Sequence, residues 1–215
     1  MKEAGQTMIR SILMLICTLF IASGWMELQA IASPAAMSAD LIQTLIDKAQ
    51  DGDTVRIPPG SYEGRILINR PIQLDGGGAV TLRNTDQKST VEITAKGVAL
   101  KGLIVVHEAR DKNAAVSVSS DEVRINSLDI RTGGYGILLR KADRGIVANT
   151  KIEWLEDANA AAAKTKIVRH NGIDLFNSHL NVIQGNTVSN MNDGIYLESS
   201  NGNTVINNAI DHHGR

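Results

Sequence analysis

Gly172-Ile-Asp-Leu-Phe-Asn-Ser-His-Leu-Asn-Val-Ile-Gln-Gly-Asn-Thr-Val-Ser189 and Gly194-Ile-Tyr-Leu-Glu-Ser-Ser-Asn-Gly-Asn-Thr-Val-Ile-Asn-Asn-Ala-Ile-Asp211 are two copies of one pattern, 22 residues apart and without gaps. In that register Asn181 falls on Asn203, Ile183 on Val205, Asn186 on Asn208 and Val188 on Ile210. Each copy holds short alternating apolar runs, enough for two or three short strands. Such a period is one turn of a parallel β-helix, because the leucine ladder that a leucine-rich repeat of similar length needs is missing. Inward Ile, Val and Leu then stack on their equivalents in the next turn, about 4.8 Å away. The paired Asn residues stack as corner ladders, where Asn tolerates left-handed backbone and its amide can bond the amide above.

Working outward, Gly136-Ile-Leu-Leu139 heads an earlier copy 36 residues before Gly172. Residues 157–166, rich in alanine, account for the excess as a loop or short helix protruding from one turn. Looser copies begin near Gly64, Thr90 and Ala114, and the pairs Ile66/Ile68, Ile72/Leu74, Val91/Ile93, Val98/Leu100, Val116/Val118 and Val123/Ile125 each mark a short strand. Before them, residues 40–50 carry Leu41, Ile42, Leu45, Ile46 and Ala49 on one helical stripe, with Asp40 as N-cap. This helix is expected to cover the open N-terminal end of the solenoid. The expected organisation is an N-terminal targeting segment over 1–39, a capping helix and turn over 40–53, and an all-β, right-handed parallel β-helix over 54–215 that stops in mid-repeat.

The targeting segment has Lys2 and Arg10 ahead of an apolar run from Ile12 to Ala22, shorter than a membrane span. Small-residue cleavage options follow at Ala30-Ile31-Ala32 and Met37-Ser38-Ala39, the second favoured; the other reading is an uncleaved anchor. Either way the remainder is expected outside the cytoplasm, in the periplasm or at the extracytoplasmic surface. Cys17, the only cysteine, lies inside the apolar run, so a processed chain would have neither disulfides nor thiolate ligands. The formal charge of −1 and 3% aromatic content leave neither a basic excess nor stacking platforms for nucleic acid. Ten Asn in the last 46 residues instead match the corner ladders.

Gly52-Asp-Thr-Val-Arg-Ile-Pro-Pro-Gly-Ser-Tyr62, Ile68-Asn-Arg-Pro-Ile-Gln-Leu-Asp-Gly76, Asn171-Gly-Ile-Asp-Leu-Phe-Asn-Ser178 and Asp193-Gly-Ile-Tyr-Leu-Glu-Ser-Ser200, in this order, resemble the NosD family over residues 40–215. The resemblance implies a right-handed parallel β-helix that works beside an ABC transporter and a copper chaperone in building the copper centres of nitrous oxide reductase. Its membrane association would come through the transporter or an uncleaved N-terminal segment. Family members continue past the point matching Arg215, which puts copper delivery by this chain in question.

With no mature cysteine, copper would need His and Met, since thioether suits Cu(I) and imidazole either copper state. The repeat register puts Met191 and His213 in one column, His212 beside it, and His170 one column over in the preceding turn; these four are the candidate copper-handling patch. The bland alternative is that corner positions vary among polar residues, with Met191 filling a gap. His107 and His179 stand alone and are expected at the surface. Outward Arg131, Arg140, Lys141 and Arg144 could serve docking.

The rival reading is a carbohydrate-active enzyme acting on uronate polymers. Asp174, Phe176, Tyr196 and Glu198 alternate with inward Ile and Leu, so they face outward across two adjacent turns, a carboxylate pair beside aromatics. An exposed sheet face, however, does not supply the raised carboxyl pKa that such chemistry needs. Asn84-Thr-Asp86 echoes a polygalacturonase triplet, but its companion motifs are missing, as are those of the epimerases. The expectation is therefore a non-enzyme.

Overall fold

The computed structural model describes residues 35–156 and 168–211, so the apolar leader run, the whole of the predicted 157–166 loop, His212 and His213 lie outside the described residues. Within it, parallel strands stack in three columns. The first runs through Ile66–Ile68, Val91–Ile93, Ala114–Val118, Tyr135–Arg140, Ile173–Phe176 and Ile195–Glu198, one six-stranded sheet. The second begins at Thr54–Arg56 and ends at Thr204–Ile206; the third begins at Met37–Ser38, continues through Gly60–Glu63 and ends at Ala209–Asp211. The long strands Gln73–Asn84 and Ala99–His107 join these two columns into one sheet. The predicted register holds: Ile173 pairs with Ile195, Ile183 with Val205 and Val188 with Ile210.

Every inward position named from the alternating pairs is buried, from Ile66 and Ile68 to Val123 and Ile125. The core is a column of aliphatic side chains between the sheets, with Tyr62 and Trp154 the large aromatic members. In the last described turn the equivalent residues Leu197, Val205 and Ile210 are exposed.

The corners follow a rule only partly legible in the repeat. A residue with left-handed backbone immediately precedes each ladder residue: Glu122, Arg144, Leu180 and Gly202 form one such column, and Ser127, Asn149, Gly185 and Asn207 a second. Lys141, Asn177 and Ser199 form a third. The ladder Asn residues themselves are therefore not the left-handed ones. Their amides do the predicted bonding: Asn181 Nδ2 donates to Asn203 Oδ1 at 3.1 Å, and Asn186 Nδ2 to Asn208 Oδ1 at 2.9 Å. The third corner uses serine, with the Ala142 N–H donating to Ser178 Oγ and the Ser178 N–H to Ser200 Oγ. Side-chain oxygens thus satisfy backbone donors that the turn between strands would leave bare.

At the other end a helix spans Asp40–Lys48 and buries Ile42 and Ile46 against the first turn. Its apolar stripe is narrower than predicted, since Leu41 and Leu45 are exposed. Asp40 is the first helical residue, with Ala39 at the cap and the Ser38 hydroxyl accepting the Asp40 N–H. Met37–Ser38 forms a short strand paired with Tyr62–Glu63, and Ala39 is buried. A cut after Ala39 would remove that strand; one after Ala32 would leave it in place.

Candidate functional site

Three turns of the six-stranded sheet, with the chain entering from residue 168, line a cleft of about 530 Å³. Its floor is the outward face of Tyr135–Arg140, Ile173–Phe176 and Ile195–Glu198. Leu138, Asp174 and Tyr196 lie side by side in one outward row, and Arg140, Phe176 and Glu198 in the next. Asp174 and Glu198 are therefore diagonal neighbours facing outward, as the sequence implied.

Asp174 is nevertheless not on an exposed face. It is only 4% accessible, because the segment carrying His170 and Asn171 closes over it. A buried carboxylate needs partners, and both oxygens have one: Arg140 Nη1 donates to Oδ1 at 2.8 Å, and Asn171 Nδ2 to Oδ2 at 2.8 Å. Asn171 Oδ1 in turn accepts from Asn192 Nδ2 and from the Asp193 backbone N–H. The Arg140 guanidinium also lies 5.5 Å from the Phe176 ring centroid, held from both sides. Arg140 is thus a cleft residue, while Arg144 pairs with Asp121 and Glu122 and Arg131 approaches Asp129 elsewhere.

His170 stacks on Tyr135 with ring centroids 4.6 Å apart. Burial pushes the His170 imidazole below its ordinary pKa, partly opposed by the nearby Asp111 charge. Burial, with the Asp174 charge adding to it, holds the Tyr135 hydroxyl above its own usual range. Both rings are therefore neutral at pH 7.

Of the two candidate copper-handling residues that are described, His170 lines this cleft and Met191 does not. Met191 is fully buried in the hydrophobic core; His212 and His213 lie outside the described residues. His170 and Met191 do fall in adjacent turns, since the Asn192 N–H donates to the His170 carbonyl at 2.9 Å. Among the described residues no group of three or more His, Cys, Asp or Glu side chains is placed to hold a metal ion. Asn84 of the polygalacturonase-like triplet is a turn residue, bonded to the carbonyls of Asp86 and Lys88.

His107, expected at the surface, is fully buried beside the third column. Its Nδ1 lies 3.1 Å from Thr90 Oγ1 and its Nε2 3.4 Å from Asp111 Oδ1. The constellation looks like a hydrolytic triad, but the Thr90 hydroxyl is as buried as the ring and no substrate could reach it. Desolvation pushes the His107 pKa down, with Asp111 opposing it. The unfolded chain takes up a proton near pH 6.5 that the folded chain refuses, so acidification below that point destabilises the fold. Stability should fall by at most about 1.4 kcal/mol per pH unit for each such histidine. Urea unfolding at pH 7 and 5 checks this; His107→Gln should flatten the slope, His170 supplying the remainder, and an unchanged slope would count against the assignment.

Stacked parallel strands with polar corner ladders define the class: a parallel β-helix carrying a polar cleft on one outer face. Residues 72–215 match the sequence model of the "Right handed beta helix region", and the chain belongs to that family. It is similar to the "Probable ABC transporter binding protein NosD" of Stutzerimonas stutzeri, 28% identical over 80% of this chain and 39% of that protein. The protein of the same name from Pseudomonas aeruginosa is 27% identical over 67% of this chain and 34% of that protein. The chain thus spans between a third and two fifths of the length of these relatives. Among solved structures, it resembles a protein described as a glycosyl hydrolase from Parabacteroides merdae (TM-score 0.63, 11% identity, covering 83% of this chain and 90% of that one). It also resembles an alginate lyase from Paenibacillus (TM-score 0.50, 15% identity, covering 80% and 74%). At such identities the likeness is one of fold.

Tyr135 and Asn171 are not singled out by the sequence reading, which names Arg140 and Asp174 separately and not as a pair. The signal for the pair was in the sequence: the 36-residue offset sets Leu138 against Asp174 and Arg140 against Phe176, so Arg140 and Asp174 are diagonal and of opposite charge. Tyr135 and Asn171 lie just before the repeat glycines, where no strand pattern marks them.

Proposed function

We propose that the chain is a non-catalytic docking factor of the NosD kind, exported from the cytoplasm and working with an ABC transporter in assembly of the copper centres of nitrous oxide reductase. The observation that carries this reading is the sequence likeness to two NosD proteins, which extends over up to 80% of the chain. Flat polar faces support this reading: strands such as Thr54–Arg56 and Arg124–Asn126 bury their central residue and expose both neighbours. Copper is cargo in this reading, contacted by His170 with His212 and His213, and Met191 stays in the core. The committed carboxylate of Asp174 favours docking over uronate cleavage, because both of its oxygens are already bonded.

The test is a strain lacking this chain. Nitrous oxide reductase from that strain should be copper-poor and regain copper when the full chain is restored, and an ABC transporter subunit should co-purify with the restored chain. Reductase that loads with copper normally without the chain would overturn the proposal.

A further inference from the structure

From the corner that carries His179 we infer a pH-sensitive latch between turns of the solenoid, in which one imidazole exchanges a backbone donor in the following turn for a carboxylate in the preceding one. The repeat places Asp121, Asp143, His179 and Asn201 in one column of this corner, each just before a residue with left-handed backbone. The first three side chains form a ladder. Asp121 Oδ1 accepts the Asp143 N–H at 2.9 Å, Asp143 Oδ1 the His179 N–H at 2.7 Å, and His179 Nδ1 the Asn201 N–H at 3.0 Å. Each rung ties the side chain of one turn to the backbone of the next. Histidine differs from the two aspartates in what a proton does to its rung. A carboxyl that gains a proton keeps acceptor lone pairs, whereas an imidazolium has none, since both ring nitrogens then donate. Imidazoles change charge between about pH 5 and 8, so the His179 rung is the one that mild acid breaks. The ring is half-buried at the surface, within reach of solvent protons.

The protonated ring has a second partner in place. Asp143 is bonded through Oδ1 to the His179 backbone, and among the described residues its Oδ2 has no hydrogen-bond partner. Arg144 is turned to Asp121 and Glu122, and Lys141 stands in the neighbouring corner column with Asn177 and Ser199. The following turn meets the ring with the uncharged Asn201. Asp143 is therefore the charge that captures the imidazolium: Nδ1–H leaves Asn201 and donates to the carboxylate, a charge-assisted bond in place of a neutral one. The bond given up matters because the turn that holds Asn201 is lightly packed. Leu197, Val205 and Ile210 are exposed there, so polar bonds contribute a larger share of what holds it down. The Leu180 N–H still donates to the Asn201 carbonyl at 3.0 Å, so the corner loosens at one donor and the turn is not released outright.

Amide hydrogen exchange and imidazole nitrogen NMR of the full chain, at about pH 7.5 and about pH 5.5, test the latch. At the higher pH the His179 ring should show an unprotonated Nδ1. On acidification the protection factor of the Asn201 amide, corrected for its intrinsic exchange rate, should fall by about fivefold to tenfold, the effect of one ordinary hydrogen bond. His179→Asn supplies an acceptor that does not titrate, so Asn201 should stay protected at both pH values. That variant retains His107 and His170, which separates the latch from the general loss of stability in acid. Asp143→Asn keeps the acceptor for the His179 N–H but removes the charge, and should move the Asn201 transition to lower pH. Asn201 protection that does not change with pH, an equal fall in His179→Asn, a proton on Nδ1 at the higher pH, or an unmoved transition in Asp143→Asn would each overturn the inference. None of these readouts involves the reductase or a transporter, so its failure and that of the docking role are distinguishable.

Discussion

Asn186→Ala lowers the free energy of unfolding by about 3–5 kcal/mol, the sum of the buried groups it orphans. Asn186 is 1% exposed and uses its whole amide. Its Oδ1 accepts the buried Thr150 N–H at 3.0 Å, and its Nδ2 donates to the Val147 carbonyl at 3.0 Å and to Asn208 Oδ1 at 2.9 Å. Alanine leaves the Thr150 donor and the Val147 acceptor in a corner with no water to replace the lost bonds, and each such group costs about 1–3 kcal/mol. Asn208, one turn on, is the internal control. Its side chain is only partly buried, so in Asn208→Ala water can enter the space it leaves and reach the Asn186 amide and the Ile183 carbonyl, and the loss should be about 1 kcal/mol. Urea denaturation of the two variants measures the difference; equal losses would mean that the ladder is decoration and the strands alone hold the corner.

Gly172→Ala should cost about 3 kcal/mol or more, at the upper end of overpacking effects. A Cβ at this position would run into the Val188 side chain and come within 2.7 Å of the Gly194 carbonyl oxygen. The glycine is thus required by close approach between neighbouring turns and the opposite sheet, not by an unusual backbone angle. Gly136 is in the same situation one turn earlier, against the Gly172 carbonyl and Ile152. A double-mutant cycle separates the two collisions. Val188→Ala should relieve the side-chain part of the Gly172→Ala penalty and leave the backbone part, so the pair should show a coupling energy of about 1 kcal/mol or more. Simple additivity would show that the turn shifts as a whole to admit the methyl group.

The two effects share a cause, and it explains what was readable beforehand. In a solenoid each residue meets its equivalent one turn away, so a gap-free 22-residue offset already names the partners of Asn186 and Gly172. The same arithmetic placed Ile173 on Ile195 and put Asp174, Tyr196 and Glu198 on one outward face, all as observed. It did less well wherever a residue's surroundings come from outside its own columns. The left-handed corner residues were assigned to the ladder Asn instead of the residue before each one, because side-chain chemistry and backbone freedom sit on neighbouring positions. His107 reads as a lone polar residue at a strand end, yet it is buried with Thr90 and Asp111 as partners.

The sequence by itself determined the parallel β-helix, its register, the aliphatic core, the corner ladders and the terminal helix. These depend on a repeat, and a repeat specifies its own contacts. Only the tertiary structure decided that Met191 packs in the core, that Arg140 pairs with a buried Asp174, and that this pair floors a cleft walled by Tyr135, His170 and Asn171. The physical reason is that alternation along a strand says which way a side chain points, not what covers it. What covers Asp174 is the short stretch carrying His170 and Asn171, and the bond from Asn171 to its carboxylate is a contact that no period encodes.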